Sequence, residues 1–164
     1  MGHKAVGLIN GMIPHIDFEN SYLGYLDAHR ELNKPIHPRA LVQLDHNLPR
    51  SISPDVTEVS AWICTYLEAV NVVGEKCRAA GLAIPQDVSV LSLDDPGDAP
   101  YPAIGKALSV ERIDFDATAA LIQDILNNWL DQRRGSLIAV PSIRIDRGTI
   151  APPRCEATEA ANEP

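Results

Sequence analysis

Short apolar runs alternate along the chain with stretches in which apolar residues recur at helical spacing. The apolar runs predict strands over residues 4–9, 41–44, 60–65, 88–93 and 142–145. The periodic stretches predict helices over residues 19–32, 68–80 and 116–133. Because strands alternate with helices of crossover length, the pattern indicates an α/β fold in which helices flank a mainly parallel sheet.

Turn-forming residues mark the ends of these elements. Asn10 and Gly11 are expected to end the first strand, and Gly81 stands where a helix normally ends in a left-handed residue. Asp94 and Asp95 precede Pro-Gly at the end of the clearest strand, which is typical of a turn. In parallel α/β sheets, ligands bind outside the carboxyl ends of the strands. The pattern therefore predicts a small-molecule cleft among the loops that follow the strands.

Composition limits the class of protein. With 164 residues, of which 45% are hydrophobic and 22% charged, the chain can form one compact domain. Its formal net charge of −8 argues against DNA binding by this chain alone, because phosphate neutralisation needs a basic face. Three cysteines without CxxC spacing indicate reduced thiols, and no apolar run has the ~20 residues of a membrane span. Since no signal peptide is evident either, we expect a cytoplasmic protein without membrane contact.

Enzyme motifs are missing from the sequence. It contains no GxGxxG, GxxxxGK[ST], GxSxG or HExxH, and its five histidines lack metal-ligand spacing, so neither a cofactor nor a metal is expected. Asp45 and His46, at the end of a strand, are candidates for ligand contact, and so is Tyr66 after the next strand. Asp94 is a candidate because a carboxylate can accept two hydroxyl hydrogen bonds, as sugar recognition requires; the alternative is that it only forms the turn.

One segment resembles a known family. Residues 81–95, GLAIPQDVSVLSLDD, resemble the pattern G-L-x-V-P-x-D-V-S-V-x-G-F-D-D of LacI/GalR-type transcriptional regulators. Four weaker matches flank it in the family's order: GHKAVGLI at residues 2–9, GYLDA at 24–28, ALSVER at 107–112 and RGTIAP at 147–152. Together these segments cover nearly all of the chain from residue 2 to residue 153.

The resemblance implies a periplasmic-binding-protein-like sensor, in which two α/β lobes similar to those of periplasmic sugar-binding proteins close on a small effector. The family's ligand-clamping Arg corresponds to Ser21 here, and the family's Asn-Asp after the central strand corresponds to Tyr66 and Leu67. Asp94 matches the family's polar contact. The predicted ligand-binding residues are Asp94, Tyr66, Ser21, Asp45 and His46.

The resemblance also implies a layout in which this chain is a truncated lobe. Residues 1–113 correspond to the C-terminal lobe, 114–135 to a helix that packs on the missing N-terminal lobe, 136–152 to returning strands, and 153–164 to a disordered tail. The implied partners are a small-molecule effector, for which a sugar is the candidate, and a second copy in a homodimer. DNA would be bound only through a helix-turn-helix headpiece that this chain lacks.

The function expected from these features is effector sensing for a LacI/GalR-type regulator, without covalent chemistry. A stand-alone α/β enzyme of flavodoxin-like or hydrolase-like type is the alternative, and it would need a nucleophile or base beside an orienting group. A transport-type binding protein is a third possibility, against which the missing signal peptide argues.

Overall fold

A computed structural model describes residues 2–11, 16–43, 53–127 and 139–153. Six strands form one sheet in the order β2-β1-β3-β4-β5-β6. The first five strands run parallel, and β6 runs antiparallel to β5 at the edge. The strands are β1 Val6–Asn10, β2 Leu41–Gln43, β3 Ala61–Cys64, β4 Ser89–Ser92, β5 Ser109–Ile113 and β6 Ser142–Ile145.

The described residues also form three helices: α1 Ile16–Glu31, α2 Leu67–Ala80 and α3 Phe115–Asn127. Gly81 ends α2 in the left-handed conformation, with φ 68°, as its position after the helical period predicted. The mainly parallel α/β architecture is thus confirmed. The bounds of several elements differ by a few residues from the prediction, and β1 ends at Asn10, one residue beyond the predicted strand. Residues 109–113 form a strand that the apolar pattern did not indicate.

The main core lies between the sheet and α2. Trp62 is its largest fully buried side chain, and its indole N–H donates to the Val59 carbonyl over 3.0 Å. Val70, Val73 and Cys77 of α2 pack in the same cluster. This cluster of buried residues fixes the positions of β3 and α2, the two elements whose junction lies at the carboxyl edge of the sheet.

The opposite face of the sheet carries α1. Tyr25 is buried there, and its hydroxyl donates to the Val6 carbonyl over 2.7 Å, which ties α1 to β1. Helix α3 differs from the other two, since none of its side chains is buried. Of the helices in the described ranges, none is both long and apolar enough to cross a membrane.

The end of the described chain returns to the sheet. Ala151 donates its N–H to Ser89 Oγ, and its carbonyl oxygen accepts hydrogen bonds from Ser89 Oγ and from the His3 ring. The chain is therefore anchored as far as residue 151. The predicted tail over residues 153–164 lies outside the described residues except for Pro153.

Candidate functional site

Two of the five predicted ligand-binding residues lie together at the carboxyl edge of the sheet. Tyr66 follows β3 and Asp94 follows β4; these strands are paired, and Leu93 N–H donates to the Cys64 carbonyl over 2.9 Å. Ser21 lies on α1, on the other face of the sheet, where it lines a cavity that Leu93 also lines. The remaining two candidates, Asp45 and His46, lie outside the described residues.

Asp94 stands in front of the first turn of α2. Its carboxylate accepts a hydrogen bond from the backbone N–H of Leu67, the first residue of that helix, and its own N–H donates to Ser92 Oγ over 3.1 Å. Burial raises the pKa of Asp94 most strongly, and the nearby Glu68 carboxylate raises it further, whereas the Leu67 hydrogen bond lowers it. The carboxylate thus faces the positive end of a helix dipole while it remains open to solvent.

Tyr66 is the residue at which α2 begins. It has an extended backbone, with φ −156° and ψ 164°, and its side chain makes no capping hydrogen bond to the helix. The ring is half-buried against the core, and this burial raises the pKa of Tyr66 to about 12. Tyr66 therefore does not satisfy the backbone N–H groups at the start of α2, and the Asp94 carboxylate of the neighbouring strand interacts with the N–H of Leu67.

Polar residues at the ends of β1 and β3 extend this edge. Thr65 donates its hydroxyl to Asn10 Oδ1 over 3.1 Å and to the Ile9 carbonyl over 3.2 Å, and both Thr65 and Asn10 are buried. Asn10, Thr65 and Glu68 were not among the ligand-binding residues predicted from the sequence. Asn10 was interpreted as a turn residue at the end of the first strand. Only the pairing of β1 with β3 shows that its side chain contacts Thr65.

The two adjacent aspartates have separate surroundings. Asp95 Oδ1 accepts the Gly97 N–H over 2.9 Å, as a turn residue does, so the turn interpretation holds for Asp95. Its carboxylate also accepts two hydrogen bonds from Arg147, at 2.9 and 3.3 Å, and lies 3.2 Å from Arg112. Asp95 therefore ties β4 to the strands at the edge of the sheet and is not free to bind a ligand.

Thiol and metal chemistry have little support in the described part of the chain. Burial raises the pKa of the Cys64 thiol, and it raises that of Cys77 to about 11, so both thiols are protonated at neutral pH and are poor nucleophiles. Within the described ranges, no group of three histidine, cysteine or carboxylate side chains could hold a metal ion.

Comparisons with known proteins agree with the fold. No protein-family model and no curated protein matches the sequence. Among solved structures, the chain is similar to a LacI-family sugar-binding transcriptional regulator from Escherichia coli, complexed with phosphate, with 23% identity and a TM-score of 0.65 over 92% of this chain and 56% of that one. The E. coli transcriptional repressor AscG gives 22% identity and a TM-score of 0.66 over 92% and 57% of the two chains.

A third similar structure carries a sugar. It is a periplasmic binding protein/LacI transcriptional regulator from Alkaliphilus metalliredigens, complexed with D-xylulofuranose, with 22% identity and a TM-score of 0.63 over 92% and 58% of the two chains. The chain thus spans little more than half the length of the structures it matches. Its fold is the periplasmic-binding-protein-like fold of LacI-family regulators, as the resemblance in residues 81–95 implied.

Proposed function

We propose that the chain is an effector-sensing lobe of a LacI/GalR-type transcriptional regulator and that the effector binds at the carboxyl edge around Asp94. The observation that carries the proposal is the carboxylate of Asp94, held at the start of α2 beside Tyr66 and open to solvent. The fold supports it, since ligands of such sheets lie outside the carboxyl ends of the strands. Cytoplasmic location, dimerisation and DNA contact through a headpiece in the regulator belong to the same proposal.

The charge at this edge favours a neutral polar ligand. Glu68 is close enough to Asp94 to raise the pKa of the Asp94 carboxyl, so an anionic ligand would meet two acidic groups. A sugar or polyol can instead donate hydroxyl hydrogen bonds to Asp94, whose carboxylate has acceptor capacity beyond the bond from Leu67. Tyr66 offers a ring against which the apolar face of a sugar can pack. We therefore assign the effector to the neutral sugars and polyols.

The proposed role is conformational and not catalytic. An effector that prefers one arrangement of the regulator shifts the population towards it, and the shift is limited by the difference in affinity between the two arrangements. The proteins of similar fold are transcriptional regulators, which supports this role over the enzyme alternative. Ser21, Asp45 and His46 remain proposed contacts, and the division into residues 1–113, 114–135, 136–152 and 153–164 remains a proposal as well.

Calorimetry on the 164-residue protein tests the site. A panel of neutral pentoses, hexoses and polyols is titrated first, and the best ligand is then titrated into Asp94→Ala. We expect the variant to lose at least about tenfold in affinity, since a charge-assisted hydrogen bond contributes on the order of 1.5–3 kcal/mol.

Asp116→Ala is the matched control, because Asp116 is an exposed carboxylate in the first turn of α3. Its affinity should equal that of the unmodified protein. Circular dichroism and urea unfolding of Asp94→Ala establish that α2 is still formed. Unchanged affinity in a folded Asp94→Ala variant, or a panel in which no neutral ligand binds, would contradict the proposal.

A further inference from the structure

The loop between β4 and β5, residues 93–108, returns to the start of α2 before the chain enters β5. Tyr101 lies in this loop, and its hydroxyl donates to the carbonyl of Leu67 over 3.2 Å. The same hydroxyl makes a hydrogen bond with the side chain of Asn71, one helical turn further along α2. Tyr101 therefore contacts the first turn of the helix whose first N–H interacts with Asp94.

Leu67 is held from two directions by the same loop. Its N–H donates to the carboxylate of Asp94, which lies near the beginning of the loop, and its carbonyl accepts from Tyr101, which lies later in it. Since residues 94–101 form one short piece of chain, Leu67 connects its two ends. The distance from the Leu67 N–H to the Asp94 carboxylate thus depends on where Tyr101 holds the other side of the same residue.

Tyr101 is itself firmly placed. Its backbone N–H donates to the Lys106 carbonyl over 2.8 Å, and its own carbonyl accepts from the N–H groups of Ile104 and Gly105 over 3.0 and 2.7 Å. Its side chain is half-buried and packs against the main core. Because so little conformational freedom is left to this ring, its hydroxyl fixes the position of the helix start at a small entropic cost.

A second contact brings the loop close to α2. Ala103 lies over Gly74, where a Cβ would come within 2.6 Å of the Ala103 carbonyl oxygen. The same oxygen accepts a hydrogen bond from Arg78 over 3.1 Å. The missing side chain of Gly74 therefore allows a close approach of loop and helix, which keeps the Tyr101 hydroxyl within reach of Leu67.

We propose that Tyr101 is a positioning residue of the effector site, where it acts through Leu67 on the place of the Asp94 carboxylate. It holds the helix start against which this carboxylate is oriented, so the acceptor capacity of Asp94 that is left for an effector keeps a fixed direction. This inference rests on the proposed function, and it extends that function from the contact residue to the residue that orients it.

Titration of Asp94 in the unliganded 164-residue protein tests the positioning. Carbon-detected NMR follows the Asp94 carboxyl with pH in the unmodified protein and in Tyr101→Phe. Burial raises the pKa of this carboxyl most, the Leu67 N–H lowers it, and the Glu68 carboxylate raises it. We expect a higher pKa of Asp94 in Tyr101→Phe, because the variant loosens the hydrogen bond that opposes the other two effects.

Tyr25→Phe is the matched control. Tyr25 also donates its hydroxyl to a backbone carbonyl, that of Val6, over 2.7 Å, but it does so on the other face of the sheet. Its replacement should lower the stability measured by urea unfolding and leave the Asp94 titration unchanged. A merely structural role of Tyr101 predicts the same behaviour of Tyr101→Phe.

Gly74→Ala tests the same connection without a change to Tyr101. The new Cβ displaces the loop at Ala103, whereas alanine favours the helical conformation, so α2 stays formed while the Tyr101 hydroxyl moves away from it. The pKa of Asp94 should rise in this variant as well. Gly24→Ala on α1 is its control, because a Cβ there would meet no atom within 4 Å, and it should leave the titration unchanged.

Calorimetry with the neutral sugar or polyol that binds the unmodified protein best completes the test. Tyr101→Phe and Gly74→Ala should each weaken its affinity about threefold to tenfold, and the two control variants by less than about twofold. A raised pKa of Asp94 together with weaker binding supports the inference. An Asp94 titration or an affinity that Tyr101→Phe leaves unchanged would overturn it. If no ligand of the panel binds the unmodified protein, the proposed effector site fails, while the titration still decides whether Tyr101 positions Asp94.

Discussion

At the scale of single residues, Asp94 and Asp95 show how two neighbouring carboxyls acquire opposite properties. Burial and the proximity of Glu68 raise the pKa of Asp94, although a helix N–H opposes them. Hydrogen bonds from Arg147 lower the pKa of Asp95, and its own burial acts in the other direction. The side chain of Arg147 is only 11% exposed, so its charge depends on Asp95 for compensation. Asp95 thus holds the edge of the sheet, whereas Asp94 is the aspartate that we propose for recognition.

Replacing Asp95 by Asn should therefore destabilise the protein in a pH-dependent way. Because the fold lowers the pKa of Asp95, its ionised form contributes stability above the ordinary value of 3.8, and this contribution is lost as the pH falls below it. With the side chain 20% exposed, we expect a loss of about 1–2 kcal/mol at pH 7 after allowing for solvent screening. Urea unfolding at about pH 7 and about pH 3 measures the difference, which should shrink at the lower pH.

Asp98→Asn is the control for this experiment. Asp98 also accepts a hydrogen bond from Arg147, at 2.7 Å, but its side chain is 91% exposed. Its replacement should change the free energy of unfolding by less than about 0.5 kcal/mol. A deficit in Asp95→Asn that is equally large at both pH values would show that the carboxylate charge is not its source.

At the scale of elements, a single residue of the returning segment joins two strands. Thr149 is fully buried; its hydroxyl donates to the Val90 carbonyl over 2.8 Å and accepts the Ser109 N–H over 2.9 Å. Its own carbonyl accepts the Val90 N–H over 2.8 Å. The strands β4 and β5 pair directly only at Leu91–Ser109 and Ser92–Val110, so Thr149 continues their connection where direct pairing ends.

Thr149→Val should consequently cost about 2–4 kcal/mol of unfolding free energy. Valine has the same shape but leaves the Val90 carbonyl and the Ser109 N–H without the hydroxyl, and an unsatisfied buried group costs about 1–3 kcal/mol. Thr149→Ser keeps the hydroxyl and loses one methyl group, for which about 1 kcal/mol is expected. Chemical denaturation of the two variants compares them, and equal losses would mean that packing and not hydrogen bonding explains the role of Thr149.

The elements also show how far the sequence alone predicts this fold. Strands β3 and β4 are apolar runs, and α2 has a clear helical period ending at Gly81, so their own residues identify them. Strand β5 could not be found this way: Ser109 is buried only because Asp146 and Thr149 satisfy its polar groups. Asp94 and Tyr66 could be predicted, because ligands of parallel sheets bind outside the carboxyl ends of the strands. The contact between Asp94 and Leu67 could not be predicted, because it depends on the adjacency of β3 and β4 in the sheet.

At the scale of the whole molecule, the two faces of the sheet are covered unequally. The face under α2 has a continuous buried core around Trp62, whereas the face under α1 keeps an open groove. The carboxyl edge between these faces carries the acidic pair Asp94 and Glu68. The surface therefore offers an apolar contact on one face and a polar, negatively charged edge, and this distribution is unsuited to a polyanion.

The 164-residue chain should accordingly show no sequence-specific DNA binding. Its net charge is −8, and the described helices carry few basic residues in their last turns: His29 and Arg30 in α1, Arg78 in α2 and none in α3. DNA affinity comes largely from phosphate neutralisation by Lys and Arg and falls steeply with salt, so any weak association at low salt should vanish at about 150 mM.

Fluorescence anisotropy with mixed-sequence duplexes at about 20 and about 150 mM salt measures this, with a basic DNA-binding domain as positive control. Tight binding to one duplex over others at the higher salt would mean that this lobe itself contacts the bases, and the proposal that the regulator reads DNA only through a separate headpiece would be wrong.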